Sequence, residues 1–202
     1  MPTYIVTVTS ADRVGIVHAV TGALRDQGGN ILELSQTVMR GYFTIILAVE
    51  FAQAQESERI RAVVADHGRQ YELTVAVIEA KPGDVIEPVE GERFILTVLG
   101  DDHPGNIHGI AGALASRGVN IVDLHARTDG PRFSMVMEAF LPSDLSPVEL
   151  KRDLEAFGKS LGLEAFVQHE NIFLATSEPS PVRVGAARLT HSSTEGAAVV
   201  PH

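Results

Sequence analysis

The chain has 202 residues, of which 45% are apolar and 21% charged, with a formal net charge of −10 and no cysteine. That length holds one large or two small domains, and the mix is globular rather than disordered. The lack of cysteine excludes a disulfide framework, a thiolate nucleophile and any cysteine-ligated zinc or iron–sulfur site, while the acid excess argues against direct DNA or RNA binding, which needs clustered Lys and Arg.

The first residues, MPTYIVTVTSADR, contain no basic stretch followed by an apolar core, and apolar runs such as IILAV fall far short of a membrane span. A cytoplasmic location and no membrane partner are the expectation. TYIVTVTS, β-branched and aromatic, predicts a strand. GIVHAVTGALRDQGG carries Val17, Val20 and Leu24 at helical spacing and ends in a glycine pair. NILELSQTVM and YFTIILAVEF alternate around Arg40 and Gly41, which predicts a hairpin. In the second of these, Phe43, Ile45, Leu47 and Val49 can face helices. Thr44, Ile46 and Ala48 form an alternate face apolar enough to call for a cover.

A second helix follows, with Ile60, Val63, Val64 and His67 on one stripe, and then a strand in YELTVAVIEA. The stretch KPGDVIEPVEGE is rich in Pro and Gly and predicts a short linker over residues 82–91. Beyond it the same order of elements recurs. Its second helix opens with SPVE, where Ser146 can cap, Pro147 suits the first turn and Glu149 completes a capping box. Its last strand is expected in LEAFVQHENIF. Residues 173–202 have few aromatics and many Pro, Gly and Ser, and read as a tail without a core of its own. From Ile172 onward Glu178 and Glu195 balance Arg183 and Arg188, so the excess acid belongs to the folded body.

Sliding the sequence by ninety positions superposes the two halves without a gap. Asp12 falls on Asp102, Gly15 on Gly105, His18 on His108, Gly28 on Gly118, Asn30 on Asn120 and Phe43 on Phe133. A register kept across strand, turn and helix positions indicates duplication. Two copies, residues 1–81 and 92–172, are therefore expected. Each has the order strand, helix, strand, strand, helix, strand, which is the ferredoxin-like α+β unit, an antiparallel four-stranded sheet with both helices on one face.

The repeated Asp-x-x-Gly segment lies between a strand and a helix N-terminus, where unpaired amides and the helix dipole favour an anion. Gly15 and Gly105 let the backbone approach whatever binds, and Asp12 or Asp102 can receive an ammonium group or cap the helix. Asn30 and Asn120 open the next strand with both a donor and an acceptor. Together these groups describe a pocket for a zwitterionic amino acid. Each also has a purely structural explanation, as cap, turn former or turn residue.

His18 and His108 sit in the first helical turn without a second ligand at metal spacing, so packing or interface roles are expected for them. His103 has no counterpart, since Arg13 occupies that place in the first copy. An enzyme using Asp12 and His18 as acid and base would lack a nucleophile, a metal cluster and a separate catalytic fold. No catalytic activity, metal or cofactor is expected.

The segments ADRVGIVHAVTGAL and GGNILELSQTVMRGYFTIILAV resemble the ACT domain, and the tandem arrangement resembles the glycine cleavage system transcriptional repressor group. The second copy has the usual Pro before Gly in DDHPGNI, where the first has Val14. The resemblance implies regulation rather than catalysis, with sheets packed side by side. It also implies an amino-acid ligand held between the first loop of one domain and the second-strand start of its neighbour. Carried over, Asp12, Arg13, Val14, Gly15 and Ile16 would face Asn120 and Ile121. Asp102, His103, Gly105, Asn106 and Ile107 would face Asn30 and Ile31. A small amino acid such as glycine, a homodimer and a regulatory protein partner are the implied associates, and a ligand-free dimerisation module is the alternative.

Overall fold

In a computed structural model, which describes residues 1–81, 91–159 and 161–177, the chain divides into two compact units. In the first, strand β1 (Thr3–Ala11) leads into helix α1 (Ile16–Asp26), the hairpin of β2 (Asn30–Met39) and β3 (Tyr42–Glu50), helix α2 (Ser57–His67) and strand β4 (Thr74–Ala80). The second repeats this with β5 (Gly91–Asp101), α3 (Asn106–Ser116), β6 (Asn120–Asp129), β7 (Arg132–Pro142), α4 (Pro147–Gly158) and β8 (Leu163–His169). Both sheets are antiparallel, in the orders β2-β3-β1-β4 and β6-β7-β5-β8. This is the ferredoxin-like βαββαβ unit twice over.

The strands form because their β-branched and aromatic residues alternate in burial. Tyr4, Val6 and Val8 of β1 and Phe43, Ile45, Leu47 and Val49 of β3 are buried against Val20, Leu24, Ile60 and Val64 of the two helices. The second unit repeats this core with Phe94, Leu96, Val98, Met135 and Met137 packed under Ile110, Leu114, Leu150 and Leu154. The alternate face stays open: Ile46 is 45% and Ile78 66% exposed. Arg40 and Gly41 turn the first hairpin with positive φ at both positions, 51° and 83°.

Four local expectations are corrected. The buried stripe of α1 is Ile16, Val20, Ala23 and Leu24, whereas Val17 is 41% exposed. Both phases satisfy helical spacing, and the loop delivers the helix with Ile16 inward. Ser146 does take the N-cap position of α4 with Pro147 in the first turn, but its side chain makes no capping hydrogen bond. The capping box is therefore not formed. The segment LEAFVQHENIF is not one strand: β8 ends at His169 and helix α5 (Glu170–Ser177) follows, tied back where Arg93 pairs with Glu170 at 3.6 Å and with Glu138 at 2.8 Å. This helix crosses the expected start of the tail. Gly91, placed in the linker by composition, is the first residue of β5. The rest of the linker, 82–90, and the tail from 178 lie outside the described residues.

Candidate functional site: the two strand–helix loops

Each copy carries a loop of the same form between its first strand and first helix. Gly15 has φ 100° and ψ −8°, and Gly105 has φ 96° and ψ −4°. An L side chain is strained in that region, which explains glycine at both positions. The glycine is the N-cap residue in both helices, with no side-chain capping bond, so Asp12 and Asp102 do not cap. Instead their backbone amides donate to the hairpin turn, Asp12 to the Gly41 carbonyl at 2.9 Å and Asp102 to the Pro131 carbonyl at 2.8 Å. Both aspartates are exposed, and neither carboxylate has a hydrogen-bond or ion-pair partner among the described residues.

The other loop residues divide by direction. Val14 is 99% exposed and Ile107 is exposed, while Ile16 is buried in the core, so only its backbone amide is available at the loop. Arg13 is tied down, its Nη1 donating to the Gln70 carbonyl at 3.1 Å. His103, its counterpart, is exposed, as are His18 and His108. These last two are surface residues rather than core packing.

Asn106 takes the place of Ile16 and is only 2% exposed. Its Nδ2 donates to the Asp101 carbonyl at 2.9 Å, and its Oδ1 is buried without a partner among the described residues.

Asn30 and Asn120 are exposed, with Ile31 and Ile121 half-buried behind them. Asn30 pairs with Glu50, and Glu50 with Thr3, so Asn30 lies level with the start of β1, whereas the Asp12 loop follows its end at Ala11. Eight residue steps at about 3.3 Å separate the two ends, about 26 Å. Asn120 is likewise level with Arg93, remote from the loop that follows Asp101. Neither unit brings its own asparagine to its own loop.

One residue at the site escaped the sequence. A Cβ added to Gly15 would fall on the hydroxyl of Tyr71, which comes from the 3-10 turn Arg69–Tyr71 after α2. The signal available was the repeat alignment, in which Tyr71 stands opposite Leu161 and Arg13 opposite His103.

Among the described residues no group of three His, Asp or Glu side chains is placed to hold a metal ion, and no helix is long and apolar enough to cross a membrane. A groove of about 370 Å³ lies elsewhere on the second unit, between Glu92, Phe94 and the turn from Leu141 to Pro147.

A model of the ACT domain matches the chain twice, over residues 3–77 and 92–168. Among curated proteins, the chain is 37% identical over 84 residues to a UPF0237 protein of Methanopyrus kandleri, a match covering 41% of this chain and 93% of that one. It is 40% identical over 82 residues to a UPF0237 protein of Methanosarcina acetivorans, covering 40% and 89%. Among solved structures, an unknown protein from Galdieria sulphuraria superposes with a TM-score of 0.70 at 24% identity, over 83% of this chain and 98% of that one. A candidate glycine cleavage system transcriptional repressor superposes with a TM-score of 0.63 at 20% identity, over 83% and 96%. At these identities the two structures speak for the shared fold.

Proposed function

The chain belongs to the ACT domain family, and on that premise we propose that it is a regulatory protein that binds a small amino acid at its strand–helix loops and catalyses no reaction. The observation that carries this reading is the pair of loops, in which the first amides of a helix stand beside an exposed aspartate that has no partner among the described residues; in the second loop the Asn106 amide already donates to the His103 carbonyl at 3.2 Å. The ligand carboxylate is received by the amides from Ile16 onward in the first loop or from Ile107 onward in the second, where the helix dipole is positive. Its ammonium group is received by Asp12 or Asp102. In this reading Asn30, Ile31, Asn120 and Ile121 act on a ligand held by the loop of a different ACT unit, since their own loop is too far away. That unit is the other copy in the same chain or a copy in a second chain, and we include a homodimer in the proposal.

Regulation passes through a protein partner in a cytoplasmic setting, because a net charge of −10 suits no phosphate backbone. Control of amino-acid metabolism, and glycine metabolism in particular, is the pathway we propose. The likeness in fold to the candidate glycine cleavage system transcriptional repressor supports that choice.

A second reading, a ligand-free dimerisation and interaction module, is favoured by the edge strand β2. Among the described residues it pairs with β3 alone, and it exposes Leu32, Leu34, Val38 and Met39. A thermal-shift screen against the twenty common amino acids separates the two. A ligand at a hundred times its dissociation constant adds about 2.7 kcal/mol, or roughly 5–10 °C at this chain length. A selective shift supports ligand binding. A flat response to all twenty, with the protein still dimeric, sinks it and leaves the interaction module.

A further inference from the structure

We propose that the two loops are unequal, with Tyr71 closing the first and leaving the loop at Gly105 as the one that admits a ligand. This rests on the amino-acid-binding reading above and says which copy does the binding.

In the first unit the Tyr71 hydroxyl lies so close over Gly15 that a single added carbon would collide with it, and the ring carbon behind it would stand 3.4 Å away. The ring is held there from below, packed against the core. From the side, Arg13 bonds to the carbonyl of Gln70, the residue just before it. A hydroxyl that leaves no room for one methyl on Gly15 fills the space over the glycine that a bound carboxylate would need. Gly15 is accordingly half-buried.

Among the described residues the second unit lacks each of these parts. Leu161 occupies the aligned position and packs against the core cluster instead. A Cβ on Gly105 would meet no described atom within 4 Å, and Gly105 itself is exposed. Beneath this open loop sits the buried amide of Asn106, anchored through Nδ2 to the Asp101 carbonyl, with its Oδ1 lacking a partner among the described residues. A buried carbonyl oxygen without a donor calls for one. In the first unit the same place is filled by Ile16, which asks for nothing. The second loop thus joins three features: open space over the glycine, the amides of an eleven-residue helix from Ile107 onward, and just inside them a buried amide oxygen with no partner among the described residues, while Asp102 remains exposed for the ammonium group.

The test is a two-dimensional amide NMR titration of the full chain with each common amino acid, in the wild type, Tyr71→Leu and Leu161→Tyr. The expected result is saturable movement of the Gly105 and Asp102 signals with Gly15 unmoved in the wild type. Tyr71→Leu adds movement at Gly15, and Leu161→Tyr removes it at Gly105. Should Leu161→Tyr fail to fold, Tyr71→Leu decides alone. Gly15 and Gly105 moving together in the wild type overturns the inequality and leaves the functional reading standing. Movement at Gly15 that Tyr71→Leu abolishes makes the hydroxyl a ligand donor and also overturns it. No movement at either loop in the wild type or in Tyr71→Leu overturns both.

Discussion

The contact between Tyr71 and Gly15 makes a prediction that needs no ligand. Replacing Gly15 or Gly105 by Ala forces an L residue to φ near 100°, which costs about 1–2 kcal/mol at either position. At Gly105 the new methyl enters open space and the cost stops there. At Gly15 it must push aside a phenol that is packed against the core, and overpacking of this kind adds about 1–3 kcal/mol. Removing the hydroxyl with Tyr71→Phe leaves the nearest ring carbon 3.4 Å from the methyl, an ordinary contact. The double variant Gly15→Ala/Tyr71→Phe should therefore recover most of the excess, a coupling of about 1–3 kcal/mol in a double-mutant cycle.

The assay follows from composition. There is no tryptophan, and all three tyrosines, Tyr4, Tyr42 and Tyr71, belong to the first unit, so tyrosine fluorescence during urea unfolding reports on that unit alone. Far-UV circular dichroism covers Gly105→Ala. Equal costs at the two glycines, with no recovery in the double variant, would refute the close approach of Tyr71.

Two further predictions concern the frame. Asp26, at the end of α1, accepts hydrogen bonds from Arg25 and lies 3.5 Å from His67 of α2. The Arg25 bond, assisted by His67, holds its carboxyl below the ordinary value of 3.8. A depressed folded value means the contribution is complete above 3.8 and disappears as pH falls through the folded value. Asp26→Asn should therefore lower the first unit's stability slightly at neutral pH, flatten its acid limb below that pH, and converge with the wild type once Asp26 is protonated. A parallel acid limb would count against the pairing. At Gly100, an added Cβ would meet the carbonyl oxygen of Gly162 and the Cα of Leu163, the latter at 2.9 Å. Both are backbone atoms that cannot swing away, so Gly100→Ala should cost about 1–3 kcal/mol by circular dichroism, and a loss below about 0.5 kcal/mol would contradict the approach of β5 to β8.

Much of this was legible in the sequence. The duplication showed in a gapless shift of ninety positions, and the order of elements in the alternation of TYIVTVTS and YFTIILAVEF and in the helical spacing between them. The loops were visible as Asp, Gly and His repeated at one spacing. These signals are local, and a two-residue or 3.6-residue period survives in the sequence whatever the element later packs against.

The tertiary structure decided what lies beyond an element's own period. Ile16 and Val17 are both apolar, so spacing fits either phase of α1, and only the sheet beneath it chose Ile16. Ser146 stands where a cap belongs, yet its hydroxyl makes no capping bond, an orientation that residue type does not dictate. Asn30 and Asp12 look close along the chain because one helix separates them, but that helix returns the chain along the sheet and leaves them at opposite ends. Tyr71 reaches Gly15 from 56 positions away. No periodicity encodes that meeting, because it depends on where α2 ends relative to α1, and the packing of both helices on one sheet fixes that.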